Sequence, residues 1–238
     1  SAMEKVSKPF PGIDLRDAEG HEPVFGISRF IPVFGDDVLP EKPLDALRKG
    51  AGKDVDLLIG TNAEEMNLYF VPTKVRAKIP GFLAKWLLGK SHPQPKQVLK
   101  TYGLGDKKAG HAMTEAMSDL VFRWPARRFA EEHQGRTHVY EFDWRSPACE
   151  GELGACHAIE LPFVFKTLDT ARGPRGVAGE DPPQAMADRI HQIWVDFATN
   201  VVWGQVRPGG VHQVLVQRKL AGGATAWESL ATVPTGTD

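Results

Sequence analysis

The chain has 238 residues, of which 29 are lysine or arginine and 30 are aspartate or glutamate, so its formal net charge is −1. A composition of 42% hydrophobic and 25% charged residues is that of an ordinary globular protein and excludes disorder of the whole chain. The near-zero charge excludes the broad basic surface of a nucleic-acid binder, and no apolar run approaches the roughly 18–20 residues of a membrane-spanning helix, so we expect neither partner.

The N-terminus and the cysteines bear on the compartment of the protein. Ser1-Ala2-Met3 is typical of a scar left by tag cleavage, to which we assign residues 1–3, and it lacks the basic and apolar regions of a secretory signal. Cys149 and Cys156 are too few for a disulfide framework, although a local bridge between them remains open. Free thiols and a cytoplasmic location are the favoured interpretation.

The first third of the chain is predicted to hold loops, one short helix and one strand. Residues 4 to about 40 are rich in proline, glycine and aspartate, which predicts loops with at most short edge strands. Residues 43–48 predict a helix with proline in its first turn and Gly50 as its stop. Residues 55–59, closed by Gly60, are apolar with little alternation, which predicts a parallel strand covered on both faces.

The remainder alternates helical and strand patterns. Residues 112–133 predict a long helix that Pro125 kinks or splits, and Gly135 separates it from a strand over residues 138–144. A strand, a helix and a second strand indicate a parallel α/β sheet. Residues 184 to about 202 predict a further amphipathic helix, after which short apolar pieces between glycine pairs indicate β-strands.

Some side chains in these elements have ordinary structural interpretations. Trp124, Trp194 and Phe197 lie at helical spacing on apolar faces, which predicts that they belong to the core. His133, His138 and His191 have no partner visible in the sequence and are predicted to lie at the surface.

Ionisable residues follow both predicted strands, at the sheet edge where ligands and catalytic groups gather in α/β proteins. Glu64 and Glu65 follow the first strand, and His157 lies in a glycine-rich loop after the second. A carboxylate so placed holds the Nδ1 proton of a histidine and leaves Nε2 to accept a proton from a nucleophile. The third partner would be a serine in a Gly-x-Ser-x-Gly turn, a pattern that these 238 residues do not contain.

Each of these residues also has an interpretation without catalysis. Glu65 alone is typical of a solvated carboxylate at the start of a helix, stabilised by the helix dipole. His157 alone is typical of a loop histidine bonded to a backbone carbonyl. Cys149, Cys156, His157 and Glu160 could be read as metal ligands, but their spacing fits no usual zinc pattern, so we expect no metal.

Longer motifs add a family resemblance. Residues 60–65 read Gly-Thr-Asn-Ala-Glu-Glu, and residues 154–165 read Gly-Ala-Cys-His-Ala-Ile-Glu-Leu-Pro-Phe-Val-Phe. They resemble Gly-Thr-Asn-x-Asp-Glu and Gly-x-x-His-x-x-Glu-Leu-x-x-Val-Phe of the type-B carboxylesterases, the family of cholinesterases and bacterial para-nitrobenzyl esterases. Shorter likenesses occur in the family's order, so the resemblance covers roughly residues 20 to 200.

The resemblance implies a fold and a reaction. Residues 4–200 would be the C-terminal portion of an α/β-hydrolase, with mostly parallel strands flanked by helices. Glu65 would be the acid and His157 the base of a Ser-His-Glu triad that hydrolyses small-molecule carboxylic esters without a metal or an organic cofactor. Residues 201–238 depart from the family's Gly-x-Pro-x-Trp-Pro pattern and are expected to form a tail of unknown origin with β-strand character.

The resemblance also implies a partner. The family's nucleophilic serine and oxyanion-hole glycines belong to an N-terminal half that has no counterpart in this sequence. We therefore expect the chain to be inactive alone and to associate with the N-terminal half of the same esterase or with itself. The alternative is a non-catalytic, esterase-like interaction module.

Overall fold

A computed structural model describes residues 32, 34–90, 92–199, 213–219 and 227–234. The scar predicted at residues 1–3 and most of the loop predicted over residues 4–40 lie outside these ranges. The chain divides into two compact units, one formed by residues 1–42 and 76–117 and the other by residues 43–75 and 118–238.

The helices and strands follow one another in the order expected of an α/β protein. The helices are α1 (Pro43–Arg48), α2 (Asn67–Phe70), α3 (Gly81–Gly89), α4 (Pro95–Thr101), α5 (Ala109–Ser118), α6 (Trp124–Glu132), α7 (Leu161–Val164), α8 (Leu168–Ala171) and α9 (Gln184–Ala198). The strands are β1 (Leu57–Asn62), β2 (Thr137–Phe142), β3 (Gln213–Lys219) and β4 (Trp227–Pro234). A 3-10 turn spans Arg76–Lys78, and a π-helical turn spans Asp119–Arg123.

The described strands form one sheet in the second unit, in the order β1-β2-β3-β4. β1 and β2 run parallel, with Leu57 opposite Thr137 and Asn62 opposite Phe142. This confirms the predicted parallel pair and the α/β class. β3 and β4 continue the sheet in antiparallel fashion, so the β-strand character expected after residue 200 takes the form of a hairpin beside β2.

The predicted bounds of β1 are wrong, and the reason lies in Gly60. The strand begins at Leu57 and continues through Gly60 to Asn62 instead of covering residues 55–59. A Cβ atom on Gly60 would lie 2.4 Å from ring atoms of Tyr140 on the neighbouring strand. The glycine therefore admits an aromatic ring within the sheet and does not end the strand, which places Asn62 at the strand's last position.

The long helix predicted over residues 112–133 is interrupted as expected, but the interruption comes before Pro125. α5 ends at Ser118, the π-helical turn follows, and Pro125 lies in the first turn of α6, where its missing N–H is harmless. A π turn adds a residue and rotates the positions that follow it. Trp124 is consequently 61% exposed, so the prediction that it is a core residue is wrong.

The predicted bounds of β2 and α9 and the predicted exposure of some histidines are also wrong. β2 covers Thr137–Phe142 instead of residues 138–144, and α9 ends at Ala198. His133 and His138 are buried, not exposed as predicted. His191 is half-buried, and its Nδ1 atom lies 2.8 Å from the carbonyl of Val164. The ring of His133 lies 2.7 Å from the Thr137 hydroxyl and 2.9 Å from the carbonyl of Gly52, partners that are distant or inconspicuous in the sequence.

The core of the second unit lies beneath β2, α7 and α9. Phe142 of β2 contacts Phe163 of α7 at a ring-centroid distance of 5.3 Å, and Trp144 contacts the same ring at 4.9 Å. Ile190 and Ile193 of α9 belong to the same buried cluster. This core holds the loop after β2 against the helices that follow it.

The first unit is described from its helices. Leu88 of α3, Leu99 of α4 and Met113 of α5 are completely buried. Gly110 of α5 lies so close to the backbone carbonyl of Arg76 that a Cβ atom would not fit. No helix in the described part of the chain is long and apolar enough to cross a membrane.

Candidate active site

Glu65 and His157 meet at the carboxyl edge of the β1-β2 pair. Glu65 lies in the turn that follows β1, and His157 lies in the loop that follows β2. The Glu65 Oε2 atom lies 2.7 Å from Nδ1 of His157, and 5% of the Glu65 side chain is exposed against 39% of the His157 side chain. A buried carboxylate is thus bonded to a histidine whose ring remains accessible.

Both oxygens of the Glu65 carboxylate are engaged. The backbone N–H of Asn62 donates to Oε1 at 2.7 Å, while Oε2 faces His157. The backbone N–H of His157 also donates to the carbonyl oxygen of Glu65 at 3.1 Å. An ionised carboxylate only accepts hydrogen bonds, so Nδ1 of His157 carries the proton and Nε2 is left as the basic nitrogen.

The surroundings of the His157 ring are aromatic. The ring centroid of Phe122 lies 5.0 Å away and that of Tyr69 lies 5.9 Å away. The hydrogen bond that His157 donates to Glu65 raises the pKa of His157 above its ordinary value, although partial burial opposes the shift.

Asn62 links the turn that carries Glu65 to the loop that carries His157. Its backbone N–H holds Glu65, and its side-chain amide donates to the backbone carbonyl of Cys156 at 2.8 Å and to the carboxylate of Glu160. The residue is buried. This role was not predicted from the sequence, because the predicted strand ended before Asn62; the available signal was a polar residue inside the motif Gly-Thr-Asn.

Ser118 and the π-helical turn that follows it also contact the turn that carries Glu65. The hydroxyl of Ser118 accepts a hydrogen bond from the backbone N–H of Met66 at 3.0 Å. Arg123 donates to the carbonyl of Ala63 at 2.9 Å and to the Glu141 carboxylate at 2.7 Å. Neither Ser118 nor Arg123 was identified from the sequence, since Met66 and Ala63, which they contact, lie more than fifty residues away.

Glu64, the neighbour of Glu65, binds the loop instead of the histidine ring. Its carboxylate accepts the backbone N–H of Ala155 at 2.9 Å and pairs with Arg145. Gly154 adopts a φ of +59°, and a Cβ atom there would lie 2.0 Å from Glu64 Oε2. The two adjacent carboxylates therefore contact different parts of the same loop, one the histidine and the other the backbone before it.

The two cysteines are free, as expected. Cys149 is exposed, whereas burial raises the pKa of the Cys156 thiol to about 12, so this thiol is neutral at physiological pH. Among the described residues, no cluster of three or more histidine, cysteine, aspartate and glutamate side chains has the geometry of a metal site.

The raised pKa of His157 has a measurable consequence. We expect the ring to titrate above the ordinary value of about 6.5 and to return toward it in Glu65→Gln, which removes the hydrogen bond to an ionised partner. Because the folded-state pKa lies above the unfolded one, the stabilisation is fully present below pH about 6.5 and is lost as pH rises through the folded-state pKa. Histidine NMR titration, with His157→Ala to assign the resonance, measures this shift. An unchanged value in Glu65→Gln would contradict the assignment of its cause.

Parallel strands flanked by helices, with a carboxylate and a histidine on the loops after them, define part of an α/β-hydrolase. Solved structures agree: a PNB esterase matches 87% of this chain and 42% of its own chain with a TM-score of 0.57 at 22% identity. A carboxylesterase of Geobacillus stearothermophilus matches 68% of this chain and 34% of its own with a TM-score of 0.55 at 28% identity.

The family follows from a match over most of the sequence. The model of the carboxylesterase family matches residues 13–232, and the chain belongs to this family. The para-nitrobenzyl esterase of Bacillus subtilis is 34% identical over 173 residues, which are 71% of this chain and 34% of that protein. The phenmedipham hydrolase of Pseudarthrobacter oxydans is 27% identical over the same shares. The chain thus spans about a third of the length of these relatives.

Proposed function

We propose that this chain supplies the acid and the base of a Ser-His-Glu triad for carboxylic-ester hydrolysis, with Glu65 as the acid and His157 as the base. The observation that carries the proposal is the 2.7 Å contact between a buried carboxylate and Nδ1 of a histidine that remains accessible. Membership of the carboxylesterase family supports the reaction class. No metal or organic cofactor is needed for this chemistry.

In this mechanism His157 moves a proton in each half of the reaction. Nε2 takes the proton of a serine hydroxyl as the serine oxygen attacks the ester carbonyl, and Glu65 stabilises the imidazolium that forms. The protonated ring then gives its proton to the departing alcohol, which leaves an acyl-enzyme. Water, activated by the same nitrogen, hydrolyses the acyl-enzyme and returns the serine hydroxyl.

The serine would come from a partner polypeptide segment. The 238 residues contain no Gly-x-Ser-x-Gly turn, and within the described strands β1 is paired on one side only. An unpaired strand edge accepts a further strand readily. We assign to that edge the N-terminal half of the same esterase, or a second copy of this chain, and we expect the chain to be inactive when neither supplies a nucleophile.

A reconstitution experiment tests the assignment. The purified chain should hydrolyse para-nitrophenyl acetate no faster than its His157→Ala variant. Co-expression with the portion of the Bacillus para-nitrobenzyl esterase that this chain does not match should give a copurifying complex whose esterase activity depends on His157.

Two results would contradict the proposal. One is turnover by the purified chain alone that disappears in His157→Ala, because the nucleophile would then lie within these residues. The other is a folded, copurifying complex in which His157→Ala leaves the rate unchanged. A complex without any turnover would favour the non-catalytic interaction module.

A further inference from the structure

The near-neutral net charge of the chain hides a strongly basic segment. Residues 76–108 contain eight lysines and arginines and one acidic residue, Asp106, which is a net charge of +7 and leaves −8 on the other residues. This segment comprises the 3-10 turn, α3 and α4 of the first unit. A whole-chain average therefore gives no information about the surface that the segment presents.

The outward stripe of α3 is aromatic. Ala84 and Leu88 face inward and are completely buried, while Phe82 is 75% exposed and Trp86 is 52% exposed. Phe82 and Trp86 are four residues apart and share one face with the exposed Lys85. The helix thus has an apolar side against its own unit and a second apolar stripe turned toward the surroundings.

Lysines accompany the aromatic stripe on α3 and on the neighbouring helix α4. Nζ of Lys90 lies 4.6 Å above the ring of Trp86, and Lys96 and Lys100 are exposed on α4, which packs against α3. Within the described residues no ion pair is formed by Lys85, Lys96 or Lys100. We call the surface formed by Phe82, Trp86, Lys85, Lys96 and Lys100 the aromatic-basic surface.

We infer that the aromatic-basic surface binds the face of an anionic lipid bilayer. Tryptophan and phenylalanine insert at the boundary of headgroups and acyl chains, and lysine stems extend so that their ammonium groups reach lipid phosphates. Clustered lysines beside these exposed aromatic side chains are attracted to negatively charged headgroups.

The charge and the aromatic stripe argue against a symmetric dimer and a nucleic-acid duplex on this surface. A second copy that docked symmetrically through the same surface would bring two segments of net charge +7 together, which repel each other. A nucleic-acid duplex would satisfy the lysines, but its bases are already stacked on one another and offer no face to the outward aromatic stripe of the helix. An anionic bilayer satisfies both components at once.

Vesicle sedimentation with the 238-residue chain tests the inference. The chain should bind vesicles of phosphatidylcholine and phosphatidylglycerol at least about tenfold more tightly than vesicles of phosphatidylcholine alone, and added salt should weaken the binding. The double variant Phe82→Ser/Trp86→Ser and the triple variant Lys85→Glu/Lys96→Glu/Lys100→Glu should each reduce the partition by at least about tenfold.

A matched control variant distinguishes binding through this surface from nonspecific binding to vesicles. Phe165→Ser/Arg172→Glu removes an exposed aromatic and an exposed cation from the second unit and should leave binding unchanged. In case the serine variants do not fold, a further variant, Trp86→Phe, keeps an aromatic side chain and with it the packing of α3. Brominated lipid should quench the tryptophan fluorescence of the unaltered chain and should quench that of Trp86→Phe less.

The inference is overturned by equal binding to both vesicle types, by equal losses in the control variant, or by identical quenching with and without Trp86. Binding to duplex DNA that depends on the lysines but not on the aromatic pair, without vesicle binding, would overturn it in favour of a nucleic-acid surface. The His157→Ala variant should bind vesicles normally, so failure here leaves the proposed triad untouched.

Discussion

Replacing Glu65 by glutamine should lower kcat of the reconstituted esterase by a factor of about 10³–10⁴. The backbone N–H of Asn62 donates to Glu65 Oε1, so a glutamine keeps its oxygen there and turns its NH₂ group toward His157. Nδ1 must then accept a hydrogen bond, which moves the ring proton to Nε2. A ring protonated at Nε2 cannot take the proton of the attacking serine. Steady-state kinetics on para-nitrophenyl acetate would measure the loss.

The neighbouring carboxylate provides the matched control. Glu64→Gln keeps an oxygen for the backbone N–H of Ala155 and loses only the pairing with Arg145, so we expect less than a tenfold effect. Similar losses in Glu64→Gln and Glu65→Gln would contradict separate roles for the two residues. The loss of kcat would then not depend on the direct contact between the carboxylate and Nδ1 of His157.

The convergence of Glu65 and His157 follows from simple topology. In a parallel pair, the loops after both strands lie at the same edge, so a carboxylate after one and a histidine after the other are brought close. The sequence patterns located both strands to within a few residues. That accuracy was enough to place Glu65 and His157, whose positions depend on the order of the elements.

The residues that support this pair were not predictable in the same way. Asn62 acquires its role only because β1 extends to it, and that extension depends on how Gly60 accommodates the ring of Tyr140. Arg123 reaches the carbonyl of Ala63 from a π-helical turn, a departure from regular spacing that helical periodicity cannot indicate. Both depend on contacts between segments far apart in sequence.

The basic segment of residues 76–108 is not visible in the net charge of the whole chain. A net charge of −1 correctly describes the whole chain, but residues 76–108 carry +7. The electrostatic attraction that a surface exerts depends on charges within roughly 10 Å, the screening length in moderate salt. Charge is therefore informative when it is counted along the elements that share a surface.

Gly154→Ala should destabilise the chain by about 2.5–5 kcal/mol, more than its position in a loop would indicate. The residue has a left-handed φ of +59°, which costs a side chain about 1–2 kcal/mol. The new methyl group would also lie 2.0 Å from Glu64 Oε2 and displace this carboxylate from the backbone N–H of Ala155. A charge-assisted hydrogen bond of this kind contributes about 1.5–3 kcal/mol.

Gly151 separates the two effects, since its φ of +80° is also left-handed but a Cβ atom there meets nothing within 4 Å. Urea unfolding should show Gly151→Ala losing only about 1–2 kcal/mol, the backbone part of the cost. In a Glu64→Ala background, the extra cost of Gly154→Ala over Gly151→Ala should disappear, because no carboxylate remains to be displaced. Equal losses for the two alanine variants in the unaltered chain would show that Glu64 does not secure the loop that carries His157.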